Sequence, residues 1–279
     1  MAPFAFAVGS DRTFWVLDEV NRRVAHYSSG GEFLGELRGL RFDRFHAHPR
    51  DLVMAGGRPV VLEQRNWSLA GIVDVPDRGR FTRTPVTVAG RPVWVSYLVP
   101  TAGPVVGWVN GAATAPPAPP ASGPHGAARF DVPGSGRGRF LPGFPLGDGG
   151  YVRLEYRRPE RLDVTFTRPE GASVLPIRLV LIAAGRRTRA ASAVISQTTL
   201  RHGLAAVVQI APTGPENARR YGDGRWLLQL SDDGSRLGWQ RIPQPAFDDE
   251  TVVRHITTGP GDSLYLMQVR RAGISLYRR

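Results

Sequence analysis

Tyr27-Ser28-Ser29-Gly30-Gly31-Glu32-Phe33-Leu34-Gly35 aligns without a gap on Leu230-Ser231-Asp232-Asp233-Gly234-Ser235-Arg236-Leu237-Gly238, the two sharing Ser, Gly, Leu and Gly. Each segment reads as an apolar strand end, a turn closed by glycine, and a second strand, which is hairpin chemistry. Degenerate versions occur at Val73 to Phe81, at Phe130-Asp131-Val132-Pro133 running on to Arg139-Phe140, and at Val164-Thr165-Phe166 through Gly171. A second repeat precedes them. Phe14-Trp15-Val16-Leu17 leading to Val24-Ala25-His26-Tyr27 superposes ungapped on Leu264-Tyr265-Leu266-Met267 leading to Ile274-Ser275-Leu276-Tyr277, so the last unit repeats the first. Short sheets recurring along a chain cannot bury their apolar faces alone and must stack on like neighbours.

Further strands rich in β-branched and aromatic residues are expected at Pro59–Leu62, Tyr151–Leu154 and Ala206–Gln209, each bounded by Gly or Pro. Joined together, these pieces give a four-stranded unit recurring at roughly 40–50 residues, the period of propeller blades. The reading is therefore an all-β chain, a single β-propeller over residues 1–279, with six blades starting near residues 3, 49, 91, 140, 190 and 250. Helix is considered only for Arg186–His202, where Thr, Val and Ile argue for strand. The final blade stops after its third strand, so ring closure is expected from the N-terminus, an incomplete blade or further sequence. Ala112–Ala128, with Pro116, Pro117, Pro119, Pro120 and Pro124 among Ala, Gly and Ser, is expected to be a flexible insertion within the third blade.

Composition agrees with many tight turns. Gly 33 and Pro 24 are what short strands and abundant turns consume, and hydrophobic residues at 42% with mean hydropathy −0.20 suffice for a core. No cysteine is present, which excludes disulfides and thiolate metal sites. The net charge of +12 comes entirely from arginine, since the chain has no lysine, and fits a GC-rich bacterial coding bias. Doublets such as Arg22/Arg23, Arg157/Arg158 and Arg270/Arg271 are scattered, so RNA or polyanion binding through an arginine-rich face is the lesser reading. No stretch is apolar enough to span a membrane. Met1–Gly9 lacks a basic flank and gives way to Ser10-Asp11-Arg12, so the chain is expected to be cytoplasmic, or exported if it is part of a longer one. A monomer is expected.

Leu17-Asp18-Glu19-Val20-Asn21-Arg22-Arg23-Val24 followed by Gly31-Glu32-Phe33 resembles the NHL repeat, in which an Asp closes the second strand and an Asn-Arg pair opens the third. His48-Pro49-Arg50-Asp51-Leu52 resembles the start of the next NHL blade, where Pro precedes the innermost strand. The resemblance covers residues 1 to 75 and 250 to 279. It implies a propeller used as a scaffold; some similar propellers, the amidating lyases, bind zinc through channel histidines.

Candidate chemistry is sparse. His46-Ala47-His48 places two imidazoles on one side of an extended segment just before the second blade, near the expected channel mouth. Aligning blades sets His255 level with Asp51 and Arg254 level with Arg50. The expected ligand-binding set is therefore His46, His48, Arg50, Asp51, Arg254 and His255, around the channel. No nucleophile elbow or phosphate-cradling loop followed by a helix is present, and Asp232/Asp233 and Asp248/Asp249 fall in turns. No catalytic residue, metal or cofactor is assigned. Trp15, Trp67, Trp94, Trp108, Trp226 and Trp239 are expected to pack between blades rather than form a sugar platform. The functional expectation is a non-enzymatic scaffold binding a protein, peptide or carbohydrate at the channel mouth. The rival is a metal-dependent lyase or hydrolase using His48, Asp51 and His255.

Overall fold

The structure is a computed structural model, described here over residues 3–40, 48–64, 71–77, 80–112, 125–132, 134–158, 161–178, 181–183, 186–188, 190–212, 224–233, 235, 237–242, 254, 256–270 and 273–278. It is an all-β propeller. The first unit is β1 (Pro3–Val8), β2 (Phe14–Asp18), β3 (Arg23–Tyr27) and β4 (Phe33–Arg38). The second is β5 (His48–Ala55), β6 (Arg58–Gln64), β7 (Gly71–Asp77) and β8 (Arg80–Pro85), and its outer strand touches β4 through one parallel bridge, Arg38 to Arg80. In the third, β10 (Arg91–Val99), β11 (Val105–Ala112), β12 (His125–Phe130) and β13 (Arg137–Phe140) are curled into a small barrel by β9 (Thr87–Val88), which pairs with both β10 and β13. The fourth is β14 (Phe144–Pro145), β15 (Tyr151–Arg158), β16 (Arg161–Arg168) and β17 (Gly171–Arg178). After a separate hairpin, β18 (Leu181–Ala183) and β19 (Arg186–Thr188), comes the fifth, β20 (Ala190–Leu200), β21 (Gly203–Pro212), β22 (Gly224–Ser231) and β23 (Leu237–Arg241). The sixth is β24 (Ile256–Thr258), β25 (Leu264–Arg270) and β26 (Gly273–Arg278).

Within each sheet, successive residues point to opposite faces, and here both faces are apolar. On β21, Leu204, Ala206 and Val208 pack toward the third and fourth units, while Ala205 and Val207 pack toward the sixth. On β25, Leu264 and Leu266 meet the fifth unit, while Tyr265 and Met267 meet Phe6, Val8 and Val16 of the first. Ala5, Ala7, Leu17 and Val24 join Leu52 and Val61 between the first and second units, and Val53, Val60 and Leu62 join Val95, Val109 and Phe130 between the second and third. The apolar layers thus run from unit to unit and return to the start. Burial of one such Leu or Val side chain contributes about 1.5–3 kcal/mol, so each layer holds its two sheets together on packing alone.

That packing closes the ring. Among the described residues β26 pairs only with β25, and β1 only with β2; Phe14 meets Tyr265 edge-on at 5.8 Å across the joint. Of the routes expected from the sequence, closure uses the first unit's side chains against the sixth rather than a shared strand.

Two expectations need adjustment, and a third holds. Residues 125–128 belong to β12, with His125 paired to Asn110, so the proline-rich insertion between β11 and β12 is shorter than residues 112–128; residues 113–124 lie outside the described residues. The hairpin β18–β19 stands ahead of the fifth unit, and β14 is only two residues long, so β10 packs directly on β20 past it. The segment from Arg186 onward is strand, as its β-branched content requires.

The repeated hairpins close with side chains as well as glycine. Ser28 Oγ accepts from the amides of Gly30 (3.2 Å) and Glu32 (3.1 Å), with Gly31 at φ 88°. In the equivalent turn Asp233 takes over: its Oδ1 accepts from Ser231 Oγ (2.6 Å) and the Ser235 amide (2.9 Å). Those bonds hold the Asp233 carboxyl down to about 2. A carboxyl depressed in the folded state favours folding above the ordinary carboxylate range, and that contribution disappears as pH falls toward 2. Carboxyl-detected NMR titration should find Asp233 at about 2 and shifted up toward the ordinary range in Ser231→Ala.

Gly203 opens β21 at φ 149°, and a Cβ there would lie 2.2 Å from the Leu230 carbonyl oxygen. Gly203→Ala should therefore lower stability on the order of 1–3 kcal/mol in urea unfolding. Gly57→Ala tests conformation alone, because φ is 74° there with open space around it, and should cost less.

Candidate functional site

The innermost strands surround the axis, and several carry irregularities. Register shifts fall between Pro3 and Ala5 on β1, Pro49 and Asp51 on β5, Val95 and Tyr97 on β10, and Val194 and Ser196 on β20. A bulge re-aims the side chain that follows it. On β5 the extra residue is Arg50, and Asp51 is thereby turned into the protein.

There Asp51 meets Arg254. Arg254 Nε donates to Asp51 Oδ1 and Nη2 to Oδ2, both at 2.6 Å, in a two-pronged fork. The carboxylate also accepts from the amides of Leu52 (2.9 Å) and Leu98 (2.7 Å). The guanidinium donates further to the carbonyls of Leu98 (2.6 Å), Ile256 (3.3 Å) and Gln197 (3.5 Å). Both residues are 0% exposed. One ion pair therefore ties together inner strands of the second, third and fifth units and the approach to the sixth. Desolvating such a pair offsets much of its Coulombic attraction, so its main effect is to fix how these units sit about the axis.

Of the expected ligand set, the structure brings together Asp51 and Arg254, facing each other and closed off from solvent. Arg50 is half-buried beside them, and its Nε has no partner among the described residues. His48 begins β5. His46 and His255 lie outside the described residues.

The open feature of the axis is where the inner strands run out. Ends of the inner strands and the turns that follow them converge on a concave mouth of about 610 Å³, lined by Val8–Ser10, Met54, Pro100–Pro104, Pro145–Gly147, Thr199–Arg201, Thr258–Pro260 and Asp262, so every described unit contributes. Its lining is mainly apolar and proline-rich, with no aromatic ring among the described residues. The rim is tied. The Thr101 amide donates to the Met54 carbonyl (3.1 Å) and the Gly56 amide to the Thr101 carbonyl (3.3 Å). The Arg201 amide donates to Asp262 Oδ2 (3.0 Å), and Thr198 Oγ1 lies 2.9 Å from Thr258 Oγ1. Asp51, Leu98, Gln197 and Ile256 stand two or three residues before the mouth on their own strands, which at the rise of a β-strand sets the ion pair about 7–10 Å below it as a floor.

Just outside the rim, Asp148, His202 and Asp232 form a cluster whose ligand atoms lie within 4.8 Å of one another. His202 Nδ1 is 3.6 Å from Asp232 Oδ2 and 4.0 Å from Asp148 Oδ2. Arg168 Nη2 already bonds Asp232 Oδ2 and lies 3.5 Å from Asp148 Oδ2, so a cation in this place would face a guanidinium. The group works as an ion-pair clamp between the fourth and fifth units. It was not legible beforehand because its members come from four separate turns and strand ends. The mouth was missed for a related reason: its residues are ordinary turn residues until the ring assembles them. Trp108 and Trp239 pack against the core of the third to fifth units, and Trp15 stacks on His26 at 3.8 Å.

No protein-family model matches the chain, and no curated protein sequence does. Solved β-propellers that it resembles include virginiamycin B lyase from Staphylococcus aureus, at 12% identity over 99% of this chain and 84% of that one, TM-score 0.41. Others are the PQQ-bound aldose sugar dehydrogenase from Streptomyces coelicolor, at 12% identity, 96% and 88% coverage, TM-score 0.43, and YCF48 bound to D1 peptide, at 14% identity, 99% and 77% coverage, TM-score 0.40. Likenesses this distant convey no chemistry to this chain.

Removing one member of the buried pair leaves the other charged and alone. Asp51→Asn should cost about 3–5 kcal/mol in urea unfolding, while Asp51→Leu combined with Arg254→Met should recover most of that loss. A single variant within about 1 kcal/mol of the native protein would contradict the role given to the pair.

Proposed function

We propose that this protein is a non-enzymatic binding scaffold, a six-bladed propeller of NHL-like type, that recognises a peptide segment of a protein partner at the mouth formed where the inner strands end. The observation that carries this reading is the convergence of inner-strand ends and the turns that follow them on one concave, mainly apolar surface above the buried Asp51–Arg254 pair. Rigid rings presenting turns suit recognition. A peptide is favoured over a carbohydrate because the mouth offers apolar side chains and backbone groups and has no aromatic ring among its described residues for a sugar to stack on. Asp18 supports the NHL-like assignment: it is buried and accepts from the Asn21 amide (3.3 Å), Asn21 Nδ2 (2.7 Å) and Arg23 Nε (3.3 Å), so the motif residues close the β2–β3 turn. That role is structural.

Only three methionines occur, and Met54 lines the mouth while Met267 is buried between the sixth and first units. Peptides selected from a random display library should shift the Met54 methyl resonance and leave that of Met267 in place. Leu200→Glu, which puts a charge on the apolar wall, should weaken those peptides about tenfold or more. Selected peptides that leave Met54 unmoved, or that bind the Leu200→Glu variant as well as the native chain, would sink this assignment.

A further inference from the structure

Several arginines among the described residues are matched to carboxylate. Arg23 pairs with Asp18 and Glu36, Arg83 with Glu63, Arg161 with Asp163, Arg168 with Asp232 and Arg254 with Asp51. The third unit gathers three that are not, toward the end of the face whose Val106 and Ala127 pack against the fourth unit. Arg129 on β12 and Arg139 on β13 are directly opposite one another in the sheet, and Arg137 lies two residues before Arg139, so all three share one face. All three are exposed, and none has a carboxylate partner among the described residues. They line a groove of about 750 Å³ together with Gly103, Pro104 and Asp131. The carboxylate in it, Asp131, is turned to its own loop, accepting from Ser135 Oγ at 3.1 Å and the Ser135 amide at 3.4 Å.

Like charges directly opposite in a sheet oppose folding. Their side chains start about 4.5–5.5 Å apart across the strands and roughly 6.5 Å apart along β13, close enough for three guanidinium forks to reach one small anion. Phe130, between Arg129 and Asp131, points the other way and is 1% exposed in the core, so the strand cannot rotate to separate the charges without exposing that ring. From this juxtaposition we infer that the groove of the third unit is an anion site for a compact ligand carrying two or more phosphate groups. Arginine's planar fork matches phosphate oxygens bidentately, and a phosphate with close to two negative charges neutralises the repulsion that one carboxylate would leave in part. The groove adjoins the axial mouth, with which it shares Gly103 and Pro104.

Tripolyphosphate titrated into the full chain by calorimetry at low salt is the test, with citrate as a carboxylate of similar size. Tripolyphosphate should bind, should raise the melting temperature, should weaken as sodium chloride is added, and should exceed citrate about tenfold. Arg129→Gln combined with Arg139→Gln should fold with undiminished stability, because a repulsion has been removed, and should lose the binding about tenfold or more. Arg58, Arg91 and Arg241, exposed elsewhere, changed together to Gln, control for net charge and should leave affinity within about twofold. Absence of binding, an equal loss in the control variant, or citrate binding as tightly would overturn the proposal. So would a short single-stranded RNA that outcompetes tripolyphosphate through the same two arginines, which would identify a nucleic-acid surface instead. Met54 lines the mouth and not this groove, so its resonance reads the mouth separately.

Discussion

A β-sheet whose two faces are both apolar has no stable existence alone, and that condition governs this molecule. Alternate residues of β21 and β25 serve opposite neighbours, so no side of an interior sheet is left for water. A stack built from such sheets has two unsatisfied ends unless it curves until they meet. Here they meet through Phe6, Val8 and Val16 against Tyr265 and Met267. Among the described residues the joint is made by side chains, with no strand handed across it, and the sixth sheet holds its place with three strands.

Curvature forces the inner strands together at the axis, and backbone groups and charges there must be satisfied without bulk solvent. The bulges on the inner strands and the Asp51–Arg254 fork answer that demand jointly. The bulge at Arg50 turns Asp51 inward, and the two carboxylate oxygens then absorb four donors from three parts of the chain. Residual cost is visible in Gln197 Nε2 and Thr257 Oγ1, which are buried with no partner among the described residues. A polar axis of this kind fixes the rotation of each unit, a constraint that packing of Val, Leu and Ala supplies weakly because those side chains are interchangeable.

Unit starts were legible because they depend on local chemistry: strands expected near residues 3, 49, 91 and 190 begin at Pro3, His48, Arg91 and Ala190. The fourth and sixth inner strands, at Phe144 and Ile256, came less cleanly, being two and three residues long with little pattern to read. Repeat alignment drew attention to Arg50, Asp51, Arg254 and His255 because equivalent positions in a ring all approach the axis. It could not say which of them touch. Aligned residues are related by rotation, whereas contact across the axis joins positions that the alignment sets in different columns, as Asp51 and Arg254 are. Small additions such as β9 and β18–β19 left no trace, since two or three residues carry no periodicity.

The same geometry explains why binding capacity collects at two different kinds of place. At the mouth, turns freed from sheet pairing are pressed together by the ring and tied by bonds such as Met54 to Thr101 and Arg201 to Asp262, so a concave surface forms with little ordering left to do on binding. In the groove beside it, β12 and β13 are each paired on both sides, and the residues toward the exposed ends of their shared face are free of the packing demand. Charge can accumulate there, as it does at Arg129, Arg137 and Arg139, because Phe130 secures β12 from the other side. The mouth is suited to shape and the groove beside it to charge. A propeller can therefore change what it binds at either place while the apolar layers between the units, which determine whether it folds, stay as they are.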